Sequence, residues 1–254
     1  MVFSVVIPAR LASTRLPNKA LADIAGKPMI VRVAEQASKS LATQVIVATD
    51  HQDIIQACET HNIKALLTST EHPSGTDRIA QVTQMLKLPD EHIIVNVQGD
   101  EPLVNPELIN QLAVLLASSS APMATAAHPI DDVAHLFNPN VVKVVLNAQN
   151  EALYFSRAPI PWDRDSLAQD KHILPSKLPV LRHIGLYAYR SGFLNEYQHL
   201  SPSILEQTES LEQLRVLWHG KKIVVTLTNE APETGVDTQE DLERVRQIFN
   251  QQIL

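Results

Sequence analysis

Apolar positions in the first half of the chain follow two alternating spacings, one typical of strands and one typical of helices. Short apolar runs rich in β-branched residues, bounded by polar or turn residues, predict strands over Val2–Ile7, Gln44–Thr49, Lys64–Thr68 and His92–Val97. Apolar residues at the spacing of one helical face predict helices over Met29–Lys39, Asp53–His61, Thr76–Leu86 and Pro106–Leu116. Strands and helices that alternate with short links predict a parallel, doubly wound α/β sheet with right-handed crossovers.

The pattern changes in the second half, where strand-like runs follow one another with few helices between them. The Pro-rich stretch Ala158–Pro179 predicts a long loop of the kind that is usually functional or interfacial. The remaining runs predict strands over Met123–His128, Val141–Leu146, Ala152–Phe155, Arg182–Tyr189 and Ile223–Leu227, and a terminal helix over Thr238–Phe249 that a Thr238–Asp241 capping box opens. Because the sequence has neither an internal repeat nor a flexible linker, we expect one domain over residues 1–254, in which residues of about 150–200 form an inserted β-rich lobe.

Composition narrows the class of protein. A chain of 254 residues with 44% hydrophobic content can bury the core of one large domain or of two closely packed ones. Its one cysteine, Cys58, cannot form an intramolecular disulfide, and its helical context predicts a buried filler. The first residues lack the features of a signal peptide, and no apolar run approaches the ~20 residues of a membrane span. We therefore expect a cytoplasmic protein without membrane partners. The net charge of −7 also argues against nucleic acid as a partner, since binding to its phosphates needs a broad basic face.

A cationic loop follows the first predicted strand of this acidic chain. The segment Pro8–Met29 has one acidic residue, Asp23, and several basic ones, Arg10, Arg15, Lys19 and Lys27. Strand ends are where α/β proteins bind ligands, so the loop predicts an anionic ligand, in the first place a polyphosphate. A solvated basic loop is the alternative, but small and rigid residues such as Ser13 and Pro17 break the run and favour a ligand-binding turn.

The loop lacks the glycine motifs that bind phosphate through backbone amides. None of the seven glycines lies between Val2 and Ala25, so neither GxxxxGK(S/T) nor GxGxxG is present there. A nicotinamide-dependent dehydrogenase is disfavoured for the same reason. Phosphate binding would instead rest on the side chains of Arg10, Arg15, Lys19 and Ser13, together with the positive end of a helix that begins near Pro28.

Two acidic residues stand at predicted turns. Asp100 follows the apolar run Ile93–Val97, and a carboxylate just past a buried strand lies at the ligand crevice of such a sheet. Mg²⁺ binds through one or two carboxylates together with substrate phosphates, so Asp100 is a candidate ligand. The alternative is that Asp100 belongs to an ordinary Gly-Asp turn without a ligand. The cationic loop predicted at the same edge of the sheet favours the ligand-binding interpretation. Asp237 precedes the terminal helix and, taken alone, is an ordinary acid at a helix N-terminus.

A further polar segment, His72–Arg78, opens the third predicted helix. Ser74 or Thr76 is a candidate cap, and Asp77 complements the helix dipole. A capping role for this segment does not explain why Arg78 is present. An exposed arginine, however, needs no functional explanation.

Several longer motifs resemble a single family. In order from about residue 2 to 246, the strings VVIPARLASTRLPNKAL, VIVATD, HPSGTDR, IVNVQGDEPL, ALYFSRAPIPWDR, RHIGLYAYR, LEQLR and GVDTQEDLERVR are similar to the 3-deoxy-manno-octulosonate cytidylyltransferases. The resemblance implies a Rossmann-like, GT-A-like nucleotidyltransferase fold with a mixed, mostly parallel sheet and a dimerisation lobe. It also implies a homodimer that uses Mg²⁺ to join CTP and 3-deoxy-manno-octulosonate (Kdo) into CMP-Kdo and pyrophosphate for lipopolysaccharide biosynthesis.

The resemblance also implies roles for single residues. Nucleotide binding is expected of Arg10, Ser13, Arg15, Lys19 and Arg78, and metal binding of Asp100 and Asp237. Positions that line the sugar pocket of the family match Gln98, Arg157, His183, Tyr187, Glu212 and Gln213. Of these, Arg157 and His183 would donate to the Kdo carboxylate, and Tyr187, Glu212 and Gln213 would bind hydroxyls. Spacing alone favours a structural role for His183, and a capping role beside Ser210 for Glu212 and Gln213.

The implied reaction is a phosphoryl transfer, in which the protein mainly positions the reactants and neutralises charge. The anomeric hydroxyl of the sugar attacks the α-phosphorus of CTP, and pyrophosphate leaves. Arg10 and Lys19 would neutralise the leaving group, while Mg²⁺ on Asp100 and Asp237 would bridge phosphate oxygens. These four residues are the expected catalytic set, and no protein general base is assigned. The alternatives are a cytidylyltransferase for a related acidic sugar (8-amino-Kdo or sialic acid) and a nucleotide-binding protein without catalysis.

Overall fold

The computed structural model describes residues 2–12, 16–170, 174, 180–229 and 235–253. Two of the expected nucleotide-binding residues, Ser13 and Arg15, lie outside the described residues. The described strands are β1 (Phe3–Ala9), β2 (Asp23–Ile24), β3 (Lys27–Pro28), β4 (Gln44–Thr49), β5 (Lys64–Leu67), β6 (Ile93–Asn96), β7 (Met123–Pro129), β8 (Lys143–Leu146), β9 (Ala152–Ser156), β10 (Leu181–Arg190) and β11 (Ile223–Leu227).

Helices connect most of these strands. A 3-10 turn covers Lys19–Leu21, and the described α-helices are α1 (Met29–Ala37), α2 (Gln52–Thr60), α3 (Gly75–Met85), α4 (Pro106–Ala117), α5 (Val133–Phe137), α6 (Ser166–Gln169), α7 (Ser191–Tyr197), α8 (Ile204–Glu209), α9 (Gln213–Trp218) and α10 (Gln239–Ile253). In the described ranges, no helix combines the length and the apolar character that crossing a bilayer requires.

One large sheet organises the molecule. Its strands follow the order β11-β7-β10-β6-β1-β4-β5, with β8 paired to β10 and β9 paired to β8. The β6-β1-β4-β5 half is parallel throughout, and β11 pairs with β7 in parallel. Its antiparallel strand pairs all involve β10 or β8, and β2 and β3 form a separate antiparallel pair. The expected α/β fold with a mixed sheet and a parallel central part is therefore confirmed.

The inserted β-rich lobe expected over residues of about 150–200 is not confirmed. Strand β9 pairs with β8, and β8 pairs with β10, so this segment extends the main sheet. A small apolar cluster does lie apart from the two large ones, and its buried members are Ile130, Leu136, Val141, Leu167 and Val180. The segment thus continues the main sheet and, among the described residues, contributes only Leu167 and Val180 to the buried members of this cluster.

The core forms one apolar layer on each face of the sheet, because side chains alternate along each strand. On β6, Ile93 and Val95 pack into the layer that α1 and α4 cover, whereas Ile94 packs into the layer that α3 and α7 cover. Both large layers are built mainly from buried aliphatic residues, and the second layer also holds aromatic ones such as Phe155 and Tyr189. The single cysteine, Cys58, is buried in the first layer. Burial raises the pKa of its thiol to about 11, which fits a filler and not a nucleophile.

The site is positioned where the central parallel strands end. Strands β1 and β6 are neighbours with the same direction, so the residues that follow them meet at one edge of the sheet. Close approach there depends on Gly99, since a Cβ at this position would lie 2.8 Å from the carbonyl oxygen of Pro8. The loops that begin at Arg10 and Gln98 therefore face each other across a short distance.

Candidate active site

Lys19 holds the two expected metal-binding carboxylates together. Its Nζ donates to Asp100 Oδ2 at 2.6 Å, to Asp237 Oδ1 at 3.1 Å and to the Val236 carbonyl oxygen at 2.9 Å. The side chain of Lys19 is 17% exposed, while those of Asp100 and Asp237 are 32% and 45% exposed. Asp100 and Asp237 lie 81 and 218 positions from Lys19 in sequence, yet both contact its ammonium group, which solvent still reaches.

Local structure fixes each of these three side chains. Lys19 opens the 3-10 turn directly after Asn18, which adopts the left-handed conformation (φ 54°). Asp100 lies in the turn after β6, and the Val236 N–H donates to its carbonyl oxygen at 2.8 Å. Asp237 is followed by the predicted capping box, in which the Asp241 N–H donates to Thr238 Oγ1 and the Thr238 N–H donates to Asp241 Oδ2. The start of α10 is therefore tied to the end of β6.

Two cavities meet at this carboxylate pair. The first, here called the Arg10 cavity, has a volume of about 600 Å³, and its lining includes Pro8, Arg10, Ala12, Lys19, Met29 and Gly99. The second, here called the His183 cavity, has a volume of about 840 Å³, and its lining includes Arg182, His183, Tyr187, Glu206, Glu212 and Gln213. Gln98, Asp100 and Asp237 line both cavities. Molecules bound in the two cavities would meet at these three side chains.

The structure brings together most of the residues expected to bind nucleotide and sugar. Arg10 and Lys19 line the Arg10 cavity. The expected sugar-binding residues His183, Tyr187, Glu212 and Gln213 line the His183 cavity, together with Gln98. The N–H group at Nε2 of the buried Gln213 amide has no hydrogen-bond partner among the described residues, so a ligand in this cavity could provide one.

Arg78 and Arg157 make other contacts. The Arg78 guanidinium is buried, pairs with Asp50 at 2.7 Å and donates to Thr68 Oγ1 at 2.6 Å, although the residue also borders a small cavity of about 120 Å³ beside Arg10. Arg157 donates from Nε to the Glu209 carbonyl oxygen at 2.6 Å and lies outside the described lining of the His183 cavity. Arg157 is therefore outside the two described cavities, whereas Arg78 stays at the border of the site and its guanidinium bonds to Asp50 and Thr68.

Burial shifts the pKa values of several side chains that line the His183 cavity. It lowers the pKa of the His183 imidazole to about 3 and raises the pKa of the Tyr187 hydroxyl well above its usual value. Burial, reinforced by the charge of Asp100, raises the pKa of Glu101 to about 8. The pKa of Glu212 is raised by burial, against the opposing effect of a hydrogen bond that Thr76 Oγ1 donates at 3.3 Å. His183 and Tyr187 therefore stay neutral at physiological pH.

Sequence reasoning missed three ionisable residues of this lining, Glu101, Arg182 and Glu206. Two of them had a usable signal, because Glu101 follows Asp100 directly and Arg182 precedes His183 on a predicted strand. The spacing of Glu206 from Ser203 is that of a capping box, which signals a helix start and not a cavity lining. Arg182 is the one lysine or arginine in the described lining of the cavity, where acidic residues otherwise prevail.

The acidic pair fits a divalent cation. Among the described residues, no group of three or more His, Cys, Asp or Glu side chains could hold a metal ion. Mg²⁺ does not require such a cage, since it binds proteins through one or two carboxylates and completes its shell with water and substrate phosphates. Asp100 and Asp237 already converge on one cationic group, the Lys19 ammonium, and they border both cavities. They are the residues that would hold the ion.

Comparison with known proteins gives a consistent family. A model of the family described as Cytidylyltransferase matches residues 4–223. The chain is 63% identical over 251 residues to the 3-deoxy-manno-octulosonate cytidylyltransferase of Herminiimonas arsenicoxydans, covering 99% of this chain and 100% of that one. It is 60% identical over 247 residues to the enzyme of the same name from Neisseria meningitidis serogroup B (strain ATCC BAA-335 / MC58), covering 97% and 98%.

Solved structures agree with the sequence relatives. The structure of CMP:2-keto-3-deoxy-manno-octonic acid synthetase complexed with CTP aligns with a TM-score of 0.90 at 40% identity, covering 99% of this chain and 100% of that one. A cytidylyltransferase from Leptospira borgpetersenii aligns with a TM-score of 0.63 at 15% identity, covering 99% and 87%, which is a likeness of fold alone. The chain therefore belongs to the cytidylyltransferase family and, within it, to the 3-deoxy-manno-octulosonate cytidylyltransferases.

Proposed function

We propose that this protein transfers CMP from CTP to the anomeric hydroxyl of Kdo, giving CMP-Kdo and pyrophosphate for lipopolysaccharide biosynthesis. The observation that carries the proposal is the pair of cavities that share Gln98, Asp100 and Asp237. A transferase needs two adjoining sites with charged groups at their junction, and both requirements are met here. Relatives at 60–63% identity carry the name of this activity.

CTP would occupy the Arg10 cavity. Arg10 and Lys19 supply the cations for its phosphates, in place of a glycine-rich loop. Two carboxylates and one ammonium leave a net charge of −1 at the junction, so a polyphosphate is better accepted together with a divalent cation than alone. We propose Mg²⁺ as that cation, with Asp100 and Asp237 as its protein ligands. When bound, the ion would neutralise phosphate charge and make the attacking hydroxyl more acidic.

Kdo would occupy the His183 cavity, with its anomeric hydroxyl directed at the shared carboxylates. The sugar oxygen forms a bond to the α-phosphorus as the bond to the bridging oxygen of pyrophosphate breaks, and the hydroxyl proton leaves to solvent. The residues of the chain position the two substrates and neutralise charge, as in other phosphoryl transfers. Gln98, Tyr187, Glu212 and Gln213, which line this cavity, would hydrogen-bond the sugar.

A test of this proposal is pyrophosphate release by the purified protein. We expect release to require CTP, Kdo and Mg²⁺ together, and to be slower with sialic acid and absent with glucose 1-phosphate, because a site built on hydrogen bonds rejects ligands that leave its polar groups unpaired. CTP binding without pyrophosphate release would instead support a nucleotide-binding protein. Faster release with 8-amino-Kdo than with Kdo would move the assignment to that sugar.

Three further features of the proposal rest on the family resemblance and on sequence alone: Mg²⁺ dependence, a homodimer and a cytoplasmic location. Pyrophosphate release in the presence and absence of a chelator tests the first. Sedimentation of the purified protein tests the second, and fractionation of cells tests the third.

A further inference from the structure

A buried threonine contacts both the His183 ring and two backbone carbonyl groups of the same strand, β10. Thr125 lies on β7 and is fully buried. Its Oγ1 is 2.9 Å from His183 Nε2, 3.1 Å from the Ile184 carbonyl oxygen and 2.9 Å from the Leu186 carbonyl oxygen. The pairing of β10 with β7 shifts register between Ile184 and Tyr187, so the hydroxyl sits where this irregularity turns two carbonyl groups toward it.

The hydrogen count at this hydroxyl decides which nitrogen of His183 carries a proton. Thr125 has one hydroxyl proton, and the two carbonyl oxygens can only accept. If that proton pointed at His183 Nε2, the hydroxyl oxygen would face two carbonyl oxygens at about 3 Å with no proton between them. If it points at the carbonyls, the oxygen is free to accept from an Nε2–H group. The second arrangement lets the hydroxyl donate to a carbonyl oxygen and accept from Nε2–H, and it leaves at most one oxygen–oxygen contact without a proton instead of two.

The ring environment excludes a doubly protonated imidazole. His183 is 9% exposed, and its ring packs edge-on against Phe155 with centroids 4.9 Å apart and lies 5.4 Å from the Tyr187 ring. Burial of this kind lowers the pKa of the imidazole to about 3, so the ring is neutral. A neutral ring with a proton on Nε2 has a bare lone pair on Nδ1.

No hydrogen bond engages Nδ1 among the described residues, and His183 lines the His183 cavity. The ring nitrogen left for a ligand is therefore an acceptor. A carboxylate placed against it would bring two acceptors together, whereas a hydroxyl group would provide the missing proton. This differs from the expectation, drawn from the sequence, that His183 donates to the Kdo carboxylate.

We propose that Thr125 is a positioning residue that holds His183 as the neutral Nε2–H tautomer, and that His183 Nδ1 accepts a hydrogen bond from a hydroxyl of the acceptor sugar. The identity of the ligand rests on the proposed function, but the tautomer does not. The substrate class that this site reads is then a polyhydroxylated sugar acid, with His183 selecting for a hydroxyl and not for the acid group.

The tautomer is tested on the ligand-free wild-type protein by nitrogen-15 NMR of its histidine rings, with the His183 signals assigned by their loss in His183→Asn. We expect a protonated Nε2 and an unprotonated Nδ1 at neutral pH. A proton on Nδ1, or on both nitrogens, would overturn the proposal. Because this measurement needs no substrate, it stands whether or not the protein turns over CTP and Kdo.

The positioning role is tested by paired variants of Thr125. Thr125→Val keeps the shape and removes the hydroxyl, so we expect a mixture of tautomers and a KM for Kdo raised about tenfold, the value of one hydrogen bond. The KM for CTP and kcat should change less than about twofold, and Thr125→Ser should restore the wild-type tautomer and KM. Equal rises in both KM values, an unchanged tautomer in Thr125→Val, or a Thr125→Ser variant that resembles Thr125→Val would contradict the role.

Discussion

At the scale of single residues, Lys19 has the contacts that bear most directly on the proposed reaction. Its ammonium lies between two carboxylates that would repel each other without it, and it borders the cavity proposed for CTP. The charge run in the sequence predicted a cation near a phosphate, and the structure adds that this cation also organises the acidic pair. That second role could not be predicted from the residues alone, because Asp100 and Asp237 come from distant parts of the chain.

We predict that Lys19→Met lowers kcat by about 10²-fold, as loss of a group that stabilises developing charge does, and also raises the KM for CTP. Steady-state kinetics with each substrate varied in turn measures both effects. Lys39→Met, which removes an exposed lysine in the turn after α1, is the matched control and should leave both values unchanged. A rise in KM with kcat preserved would mean that Lys19 binds CTP without serving the transition state.

At the scale of elements, one wall of the His183 cavity is held by a clamp between β9 and α8. Ser156 Oγ donates to Glu209 Oε1 at 2.6 Å, the Arg157 N–H donates to Glu209 Oε2 at 2.8 Å, and the Arg157 guanidinium returns to the Glu209 carbonyl. The chain then turns at Ser210, which is left-handed (φ 51°), and enters α9 with Glu212 and Gln213. Arg157 is thus placed to orient, from outside the cavity, the two residues that we propose to bind the sugar.

The clamp predicts that Arg157→Met and Glu209→Gln each raise the KM for Kdo to a similar extent and lower the melting temperature. Because both variants break one network, their effects on KM should be strongly non-additive in the double variant. A guanidinium that binds the sugar directly, as the sequence led us to expect, would give a KM effect for Arg157→Met alone. Kinetics of the two single variants and of the double variant separate these cases.

Long regular elements could be predicted from the sequence, whereas short helices could not. Strands Gln44–Thr49 and Ile223–Leu227 were predicted with their full bounds, and α1 to α4 within two residues at each end, because each has several apolar residues in a regular pattern. Helices α7, α8 and α9 were not predicted as elements, since six or seven residues do not span enough turns to show a spacing. The left-handed turn at Ser210 has no glycine to mark it.

At the scale of the whole molecule, the site is a consequence of strand order. The adjacency of β1 and β6 places Arg10 beside Gln98 and Asp100, and the general behaviour of parallel sheets predicted this meeting. The antiparallel strand β10 lies on the other side of β6 and brings His183 and Tyr187 to the same edge. No local pattern predicts that neighbour, and the family resemblance alone pointed to it. Asp237 likewise reaches the site only because the segment before α10 bonds to the β6 turn.

The most direct test of the account is turnover in variants of the two carboxylates that the cavities share. We predict that Asp100→Asn and Asp237→Asn each lower pyrophosphate release from CTP and Kdo by about 10²-fold or more at saturating Mg²⁺, with little change in unfolding free energy, since both side chains remain solvent-accessible. Asp53→Asn, in the exposed first turn of α2, is the control and should behave as wild type. Near-wild-type turnover in either site variant would contradict the claim that the junction of the two cavities is where the reaction takes place.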